Sequence, residues 1–325
     1  MEEKRSSIIT RKDILILQKL LEDGRASSSS ISKEIDLGRE IVNYRIKRLI
    51  KENLIVKFVP KLNDDILGYN EYIILLKLNL EDELARDRFI KEQIGNKYLV
   101  WIIKSNSGWD LLVRLYAESL EEFKNKLSEI LENYSTVLAN YYTIIGSSEI
   151  KETERQAVSR RIFDQEPQAD DKGKDFRLLK KTELINLDDK DKQILKLLEV
   201  DGRTQYKEIA KVLNISSDTV KYRIDKMLSQ GIIENFEPVI NFNKLGLFQY
   251  AIIVKFSFLS AEEERKAHRF FLEEEQIIKV VKSLGLHEYF LNVVSQENLY
   301  VQKFKEYMRK SFEGKIEKCE IFSLD

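Results

Sequence analysis

The chain has 325 residues, enough for two to four domains, and 43% of them are apolar, so extended hydrophobic cores are expected. Although 34% of the residues are charged, the net charge of −1 gives no overall basic excess of the kind common in nucleic-acid-binding proteins. One cysteine excludes an internal disulfide, and with two histidines we expect neither a metal site nor another cofactor. The N-terminus lacks the apolar stretch of a signal peptide, and no apolar run of about 18 residues occurs, so we expect a cytoplasmic protein without a membrane segment.

The segment from Met1 to Pro60 combines helical periodicity with turn-forming residues. It predicts three helices followed by a strand: Asp13–Leu21, Ser30–Ile35, Arg39–Glu52 and Leu54–Pro60. Gly24 is expected to end the first helix, since glycine accepts a left-handed C-terminal cap. The serines at positions 27–30 are expected to cap the second helix. This order is typical of a winged helix-turn-helix domain.

The segment that follows, as far as Ile145, contains alternating, strand-rich patterns and two helical stretches. The predicted elements follow the order βαββαβ: Tyr72–Leu80, Asp82–Gln93, Tyr98–Lys104, Leu111–Ala117, Ser119–Asn133 and Val137–Ile145. This order is that of the split-βαβ, ferredoxin-like fold.

The second half of the chain repeats the first. Leu187–Phe258 aligns with Ile9–Leu80 without a gap, and 23 of the 72 aligned residues are identical. The same elements are predicted again: Lys190–Glu199, Tyr206–Leu213, Ser217–Gln230, Ile232–Val239, Tyr250–Phe258, Ala261–Glu274, Ile277–Lys282, Tyr289–Val294, Leu299–Ser311 and Ile316–Phe322. A repeat of this length indicates a duplicated pair of domains.

The sequence therefore predicts an α+β protein with two copies of a winged helix-turn-helix domain followed by a ferredoxin-like βαββαβ domain. The predicted winged helices are residues 1–66 and 185–244, and the predicted ferredoxin-like domains are residues 67–147 and 245–325. Residues 148–184, which include a polar stretch with little to bury, are predicted to be a linker. We expect the two copies to form an intramolecular pseudo-dimer, with a further homo-oligomer as an open possibility.

Charge is distributed unevenly along the first copy. Met1–Lys61 has 14 Lys and Arg residues against 9 Asp and Glu, whereas Leu62–Lys151 has 10 against 15. A basic N-terminal domain followed by an acidic domain suggests that the first domain contacts an anionic partner.

The third predicted helix has an apolar and a polar face at 3.6 residues per turn. The residues assigned to the core are Val42, Ile46, Leu49 and Ile50. The residues predicted to contact double-stranded DNA lie on or beside the opposite face: Arg39, Glu40, Asn43, Tyr44, Arg45, Lys47, Arg48 and Lys51. Arg and Asn can bind base edges through paired hydrogen bonds, and Lys and Tyr can bind phosphates. One alternative is a helix-turn-helix used for protein contacts. A separate alternative is that Tyr44 and its counterpart Tyr222 only cover the core.

The equivalent helix of the second copy has a weaker basic character. Its predicted DNA-contacting residues are Ser217, Lys221, Tyr222, Arg223 and Lys226. The same face also has two carboxylates, Asp218 and Asp225, which would repel phosphates unless one accepts a hydrogen bond from a cytosine amino group. We therefore expect the first copy to supply more of the phosphate binding. Alternatively, both helices bind equally and the difference reflects two different half-sites.

Several of these motifs occur together in one family. The second copy opens with Leu187-Asp188-Asp189-Lys190-Asp191 and continues with Asp201-Gly202-Arg203, Tyr222-Arg223-Ile224 and Gly231-Ile232-Ile233. This series resembles the Lrp/AsnC (feast/famine) family of prokaryotic transcription regulators. The resemblance implies DNA binding by the winged helix and a ferredoxin-like, RAM-like second domain that dimerises and often senses amino acids. The tandem arrangement departs from the single unit that is usual in that family.

The resemblance also implies a small-molecule effector site near the turn between the second and third strands of the RAM-like domain. Residues in the matching positions are Ser105, Ser107, Gly108, Asp110, Ser283, Gly285 and Glu288. The usual Gly-x-x-Asp pattern is altered in both copies, since Ser107 replaces the glycine in one and Glu288 replaces the aspartate in the other. A turn with only a structural role is the alternative.

An enzymatic function is not expected. Paired sirohaem decarboxylase subunits resemble this family, but they should show a histidine-rich pocket, whereas this chain has only His268 and His287. No nucleophile–histidine pair, phosphate-binding loop or metal-ligand spacing occurs elsewhere in the sequence. A third possibility is an interaction module that dimerises without binding DNA.

Overall fold

The structure is a computed structural model, and it describes residues 9–79, 83–94, 99–105, 108–152, 184–284, 288–297 and 299–324. These residues form two compact units, and each unit contains one segment from each copy of the repeat. The first unit contains residues up to 67 together with 184–246, and the second contains residues 68–152 together with those after 246.

The helices and strands are close to the predicted order. The helices are α1 (Arg11–Glu22), α2 (Ser28–Glu34), α3 (Arg39–Lys51), α4 (Asp64–Leu67), α5 (Glu83–Ile94), α6 (Leu120–Asn133), α7 (Asp189–Val200), α8 (Tyr206–Leu213), α9 (Ser217–Ser229), α10 (Ala261–Glu273) and α11 (Tyr300–Ser311). The strands are β1 (Ile55–Leu62), β2 (Asn70–Leu78), β3 (Leu99–Lys104), β4 (Leu111–Ala117), β5 (Leu138–Glu152), β6 (Ile233–Ile240), β7 (Phe248–Phe256), β8 (Ile277–Ser283), β9 (Glu288–Ser295) and β10 (Ile316–Leu324).

In the first unit, the strand that follows the third helix of one copy pairs with the equivalent strand of the other copy. Strands β1 and β6 form a two-stranded antiparallel sheet. Val59 is opposite Glu237 in this sheet, and these two residues are equivalent positions of the repeat. A pseudo-twofold axis therefore passes through this pair and relates the two winged helices of the unit.

The prediction that Gly24 forms a left-handed helix cap was wrong. Helix α1 ends at Asp23 in an extended conformation, and Gly24 does not have a positive φ. Instead, its amide donates a 2.5 Å hydrogen bond to the carbonyl of Phe236, and a Cβ on Gly24 would lie 2.7 Å from that backbone. The equivalent Gly202 donates to Phe58 at 2.7 Å. These glycines are needed because the two backbones approach each other closely.

Two arginines cross the same pseudo-twofold interface. The guanidinium of Arg25 donates to the carbonyl of Thr204 at 2.7 Å and lies over the ring of Phe236. The guanidinium of Arg203 donates to the carbonyl of Gly24 at 2.5 Å and lies over a phenylalanine ring of β1. Each copy thus satisfies backbone carbonyls of the other copy, so the Asp-Gly-Arg motif holds the two winged helices together.

The second unit contains one eight-stranded sheet with the order β10-β7-β9-β8-β5-β2-β4-β3. Each half of this order is the ferredoxin-like arrangement, and the halves join where β5 pairs with β8. A bridge between Ser105 and Leu324 is the pseudo-equivalent of the pairing between Ser283 and Gly146. The two halves of the sheet are therefore related by the same kind of pseudo-twofold symmetry as the winged helices.

The sheet is buried on both faces, which explains why its strands are almost continuously apolar. In β2, Ile74 and Leu76 pack in a core with helices α5 and α6, whereas Ile73 and Leu75 pack against residues of the other half. The second half has its own core, which includes Phe271 of α10 and residues of α11. The unit thus has two helical layers that enclose two sheet halves.

The predicted linker begins later than expected. Strand β5 was expected to end at Ile145 but continues to Glu152, because its last residues pair with Lys279–Ser283 of β8. Residues 148–152 therefore belong to the second unit, and the greater part of the predicted linker, 153–183, lies outside the described residues.

Candidate nucleic-acid interface

Helix α3 is positioned by its apolar face. Val42, Ile46 and Leu49 are buried in the first unit, as predicted, whereas Ile50 is 43% exposed and does not belong to the core. The helix begins after Gly38 without a side-chain cap, so its first backbone N–H groups have no capping side chain. Such N–H groups, together with the helix dipole, favour a phosphate nearby.

Most of the predicted contact residues on α3 are exposed. The exposed residues are Arg39, Glu40, Tyr44, Lys47 and Lys51, while Asn43 is half-buried. Tyr44 is 67% exposed, so the alternative in which it covers the core was wrong. The structure therefore leaves three cations and a tyrosine on the surface of this helix.

Two of the predicted contact residues have a structural role instead. Arg45 forms a 2.8 Å ion pair with Asp13, and Arg48 forms a 2.7 Å ion pair with the same carboxylate. Asp13 is fully buried at the start of α1 and also accepts a hydrogen bond from the hydroxyl of Thr10. Because a buried carboxylate needs paired charges, these two guanidinium groups hold α1 against α3 and are not free for DNA.

The charge state of Asp13 follows from the same contacts. Burial by itself would raise the pKa of Asp13, but the hydrogen bonds from Thr10 and Arg45 and the charge of Arg48 lower the pKa below its ordinary value. The carboxylate therefore stays ionised at neutral pH and keeps both guanidinium groups bound.

Helix α9 has the same division into structural and exposed residues. Arg223 donates to Asp188 at 2.6 Å and to Asp191 at 2.8 Å, so it corresponds to Arg45. The other predicted contact residues of this helix are exposed: Ser217, Lys221, Tyr222 and Lys226. Tyr222 is 68% exposed, as is its counterpart Tyr44 at 67%.

The exposed charges of the two helices nevertheless differ. Lys221 of α9 lies 3.7 Å from the carboxylate of Asp225, and both side chains are more than half exposed. In α3 the position of Asp225 is occupied by Lys47, and that of Lys221 by Asn43. Helix α3 therefore has an excess of exposed cations, whereas in α9 the carboxylate of Asp225 partly neutralises the charge of Lys221.

The predicted effector residues form contacts within the second unit. The Asp110 carboxylate accepts from the backbone N–H of Leu78 at 2.8 Å, and Gly108 has a positive φ of 74°. Glu288 is buried and accepts a 2.6 Å hydrogen bond from the hydroxyl of Tyr142. Burial and this carboxylate raise the pKa of Tyr142, so the tyrosine remains protonated and is the donor.

Among the described residues, the remaining predicted effector positions add no solvent-exposed polar side chain. Ser105 and Ser283 are buried at the two pseudo-equivalent places where the sheet halves meet. Ser107 and Gly285 lie outside the described residues, as does His287. In the part of the chain that the structure describes, these turns therefore have mainly internal contacts.

The contacts made by Arg25, Arg203 and Gly24 were not predicted. The Asp-Gly-Arg motif was visible in both copies, but its partners belong to the other copy of the repeat, so no local pattern indicates them.

None of the helices in the described ranges is long and apolar enough to cross a membrane.

Comparisons with known proteins agree with this geometry. A family model described as winged helix-turn-helix DNA-binding matches residues 9–56 and 187–234, which contain the three helices of each copy. An uncharacterised HTH-type transcriptional regulator of Pyrococcus abyssi is 31% identical over 124 residues, which are 37% of this chain and 75% of the relative. The regulatory protein AsnC of Haemophilus influenzae is 29% identical over 110 residues, or 34% of this chain and 73% of the relative.

Solved structures of a sirohaem decarboxylase match almost the whole chain. The sirohaem decarboxylase NirDL aligns over 97% of this chain and 91% of its own, with a TM-score of 0.60 and 11% sequence identity. At this identity the similarity concerns the fold alone, and it shows that a two-copy architecture of this kind occurs in another protein. Taken with the repeated helix-turn-helix matches and the related regulators, these findings show that the chain belongs to the Lrp/AsnC type of DNA-binding transcriptional regulators, in a tandem-duplicated form.

Proposed function

We propose that this regulator binds double-stranded DNA with two non-identical heads, α3 and α9, and that α3 supplies most of the phosphate contacts. The observation that supports this proposal is the difference in exposed charge between the two helices. Arg39, Lys47 and Lys51 are exposed on α3. On α9 the matching positions are Ser217, Asp225 and Ser229. Since phosphate neutralisation dominates the affinity for DNA, the head with more exposed cations contributes more of it.

The proposed contact set is smaller than the sequence suggested. The ion pairs to Asp13 and to Asp191 remove Arg45, Arg48 and Arg223 from it. The residues that remain on the two helices are Arg39, Glu40, Asn43, Tyr44, Lys47, Lys51, Ser217, Lys221, Tyr222 and Lys226. Asn43 and Arg39 have the chemistry for base edges, whereas the lysines suit phosphates.

Two unequal heads in one chain suit an asymmetric operator. A symmetric homodimer presents the same helix twice and favours a palindrome. In this chain the β1–β6 sheet joins two different helices at a pseudo-twofold axis, so each half-site meets its own set of side chains. We therefore propose that the best operator has one half-site for α3 and a different half-site for α9.

The test is fluorescence anisotropy of the full chain on mixed-sequence duplex DNA over a salt series. The test variant changes Arg39, Lys47 and Lys51 to Ala, and the matched control changes Lys221 and Lys226 of α9 to Ala. We expect the logarithmic salt slope of the first variant to fall by about 2 to 3, since each lost phosphate contact removes about 0.9. The slope of the control should fall by about 1 or less, because the ion pair of Lys221 with Asp225 leaves about one phosphate contact to lose. Absence of binding at low salt would overturn DNA binding, and equal slope changes would overturn the unequal heads.

For the effector, the described contacts favour a structural role of the turns. Asp110 and Glu288 already accept hydrogen bonds within the protein. A thermal shift screen with amino acids tests this proposal, and a rise in melting temperature that is lost in Glu288→Gln would contradict it.

A decarboxylase-like activity is a second candidate, supported only by the similar fold of NirDL. His268, the one histidine within the described ranges, is 3% exposed and hydrogen bonded to the hydroxyl of Tyr289, and burial lowers its pKa to about 4. Such a histidine does not suit acid–base chemistry on a substrate at neutral pH. The test is a visible absorption spectrum after incubation with an iron tetrapyrrole. Tight binding would support the decarboxylase-like alternative, and no binding would argue against it.

A further inference from the structure

The two copies differ at one surface of the first unit. In the first copy, Lys19 of α1 forms ion pairs with Glu22 at 2.9 Å and with Glu34 at 2.8 Å. The equivalent positions of the second copy hold Leu197, Val200 and Val212. Val200 is 74% exposed and Val212 is 67% exposed. An ion-paired trio in one copy is therefore an apolar trio in the other.

A second difference lies beside the first. A cleft of about 800 Å³ on one side of the pseudo-twofold axis is lined in part by Glu22, Leu228 and Glu234. On the other side, the equivalent residues are Val200, Ile50 and Val56. Ile50 is 43% exposed and Val56 is 48% exposed. The pseudo-twofold symmetry places these three residues together, since their counterparts line one cleft.

Direct contacts support this grouping. The ammonium of Lys57, next to Val56, donates to the carbonyl of Glu199, next to Val200, at 3.2 Å. Strand β1 therefore lies against the C-terminal end of α7. We call the resulting surface the apolar patch, and its members are Ile50, Val56, Val200 and Val212.

Internal stability does not require the apolar patch. The opposite side of the same unit has the same fold with Glu234, Glu22 and Glu34 in place of Val56, Val200 and Val212, and Leu228 in place of Ile50. Side chains of this size lose favourable free energy when they are exposed to water. Grouped exposed apolar residues of this kind commonly mark a contact surface for another molecule.

We propose that the apolar patch is the contact surface for a second copy of this chain, related by a true twofold axis. The edge of the patch has both signs of charge, since the exposed Lys57 follows Val56, the exposed Glu199 precedes Val200, and Lys57 contacts the carbonyl of Glu199. A rim with both signs can face its own copy without net repulsion, whereas a rim with one sign would repel itself. The patch also borders the β1–β6 interface, so dimerisation would extend an existing contact surface.

The difference between the apolar and the polar side of the pseudo-twofold axis limits the size of the assembly. A twofold contact uses the same patch on both partners and closes after two copies. If both sides of the pseudo-twofold axis were apolar, each chain would have two adhesive surfaces and could form longer assemblies. The ion pairs of Lys19 with Glu22 and Glu34 prevent this by keeping one side polar. The expected product is therefore a closed dimer of two pseudo-dimers.

The test is sedimentation velocity of the nuclease-treated full chain, without DNA, over a hundredfold concentration range. The main variant combines Val56→Glu and Val200→Glu, which are the residues of the other copy and are tolerated there by the same fold. Val212→Lys is a second, single variant. The matched control is Leu120→Glu, an acidic change at a 61% exposed leucine of the second unit.

We expect the native chain and the control to shift from monomer to dimer as the concentration rises. The dimer should persist in about 0.5 M salt, because salt screens interactions between charges but does not weaken an apolar contact. The dissociation constant of both patch variants should rise at least tenfold, while an unchanged far-ultraviolet circular dichroism spectrum shows that they are folded. A native chain that stays monomeric, a dimer unaffected by both patch variants, or equal loss in the control would each overturn the proposal. DNA binding is not needed for any of these results, so the outcome is independent of the proposed function.

Discussion

The amide of Gly24 donates a hydrogen bond to the carbonyl of Phe236, which belongs to the other copy of the repeat. This contact predicts that Gly24→Ala destabilises the first unit, because a Cβ would lie 2.7 Å from the Phe236 backbone. We expect a loss of about 1 to 3 kcal/mol in the free energy of unfolding, measured by urea denaturation. The equivalent change Gly202→Ala should cost less, since its nearest contact is 3.0 Å.

The control for this prediction is Gly38→Ala, where the nearest atom to the added Cβ is 3.8 Å away in a flexible side chain. A cost for Gly38→Ala as large as that for Gly24→Ala would mean that close backbone approach is not the cause.

The buried carboxylate of Asp13 has two guanidinium partners, whereas Asp191 in the second copy has one, Arg223. Asp13→Asn should therefore cost about 3 kcal/mol of stability, because it leaves two partly buried cations without their counter-charge. Asp191→Asn should cost about 1 to 2 kcal/mol. Thermal and urea unfolding of the two variants measure this difference, and equal costs would argue against a special role for Asp13.

Protonation of His268 should weaken the fold between about pH 6.5 and pH 4. Burial lowers the pKa of this histidine to about 4, while the Glu264 carboxylate acts in the opposite sense and Lys282 adds to the lowering. In the unfolded chain the histidine takes up a proton near pH 6.5, but in the folded chain it stays neutral until about pH 4. Stability therefore falls as the pH falls through this window, by roughly 3 kcal/mol in total.

The variant His268→Gln provides the comparison, since glutamine is neutral and can still hydrogen bond to Tyr289. Its unfolding free energy should stay nearly constant from pH 6.5 to pH 4.5. The pKa of Asp13 is lowered from 3.8, so its contribution is lost only below about pH 4 and does not obscure the result. A variant with the same slope as the native chain would show that another group is responsible.

Replacement of Asp225 by lysine should strengthen DNA binding by α9. The change removes a carboxylate from the exposed face, frees Lys221 from a 3.7 Å ion pair, and introduces the residue found at the equivalent position in α3. We expect a three- to tenfold higher affinity at low salt and a salt slope that is steeper by about 1 to 2. The reciprocal change Lys47→Asp should weaken binding. Unchanged or weaker binding by Asp225→Lys, or unchanged binding by Lys47→Asp, would contradict the proposed difference between the two helices.

The sequence predicted the local elements well because their signals are local. Strand β4 and helix α8 have the predicted ends, Leu111–Ala117 and Tyr206–Leu213. Ser27, one of the four serines expected to cap α2, does so, whereas the other three lie within the helix. Helical periodicity and capping residues act over a few positions, so they can be read from one segment alone.

Contacts between distant segments were not predictable in the same way. Ile50 was assigned to the core by periodicity, but it lies at the edge of the helix face and is exposed. Arg45 and Arg48 were assigned to DNA by charge, although the buried Asp13 that binds both belongs to a different helix. The strand pairing of β5 with β8 joins different copies of the repeat, and no period or cap indicates such a partner.

At the centre of the β1–β6 sheet, a valine faces a glutamate where an unfused homodimer would place a residue opposite itself. Two separate subunits would have to pair Val59 with another valine, or Glu237 with another glutamate, and like charges directly opposite each other are unfavourable. Fusion of the two copies removes this constraint, because a substitution then changes one side of the residue pair and not both. The surface and the predicted DNA-facing residues of one copy can then differ from those of the other.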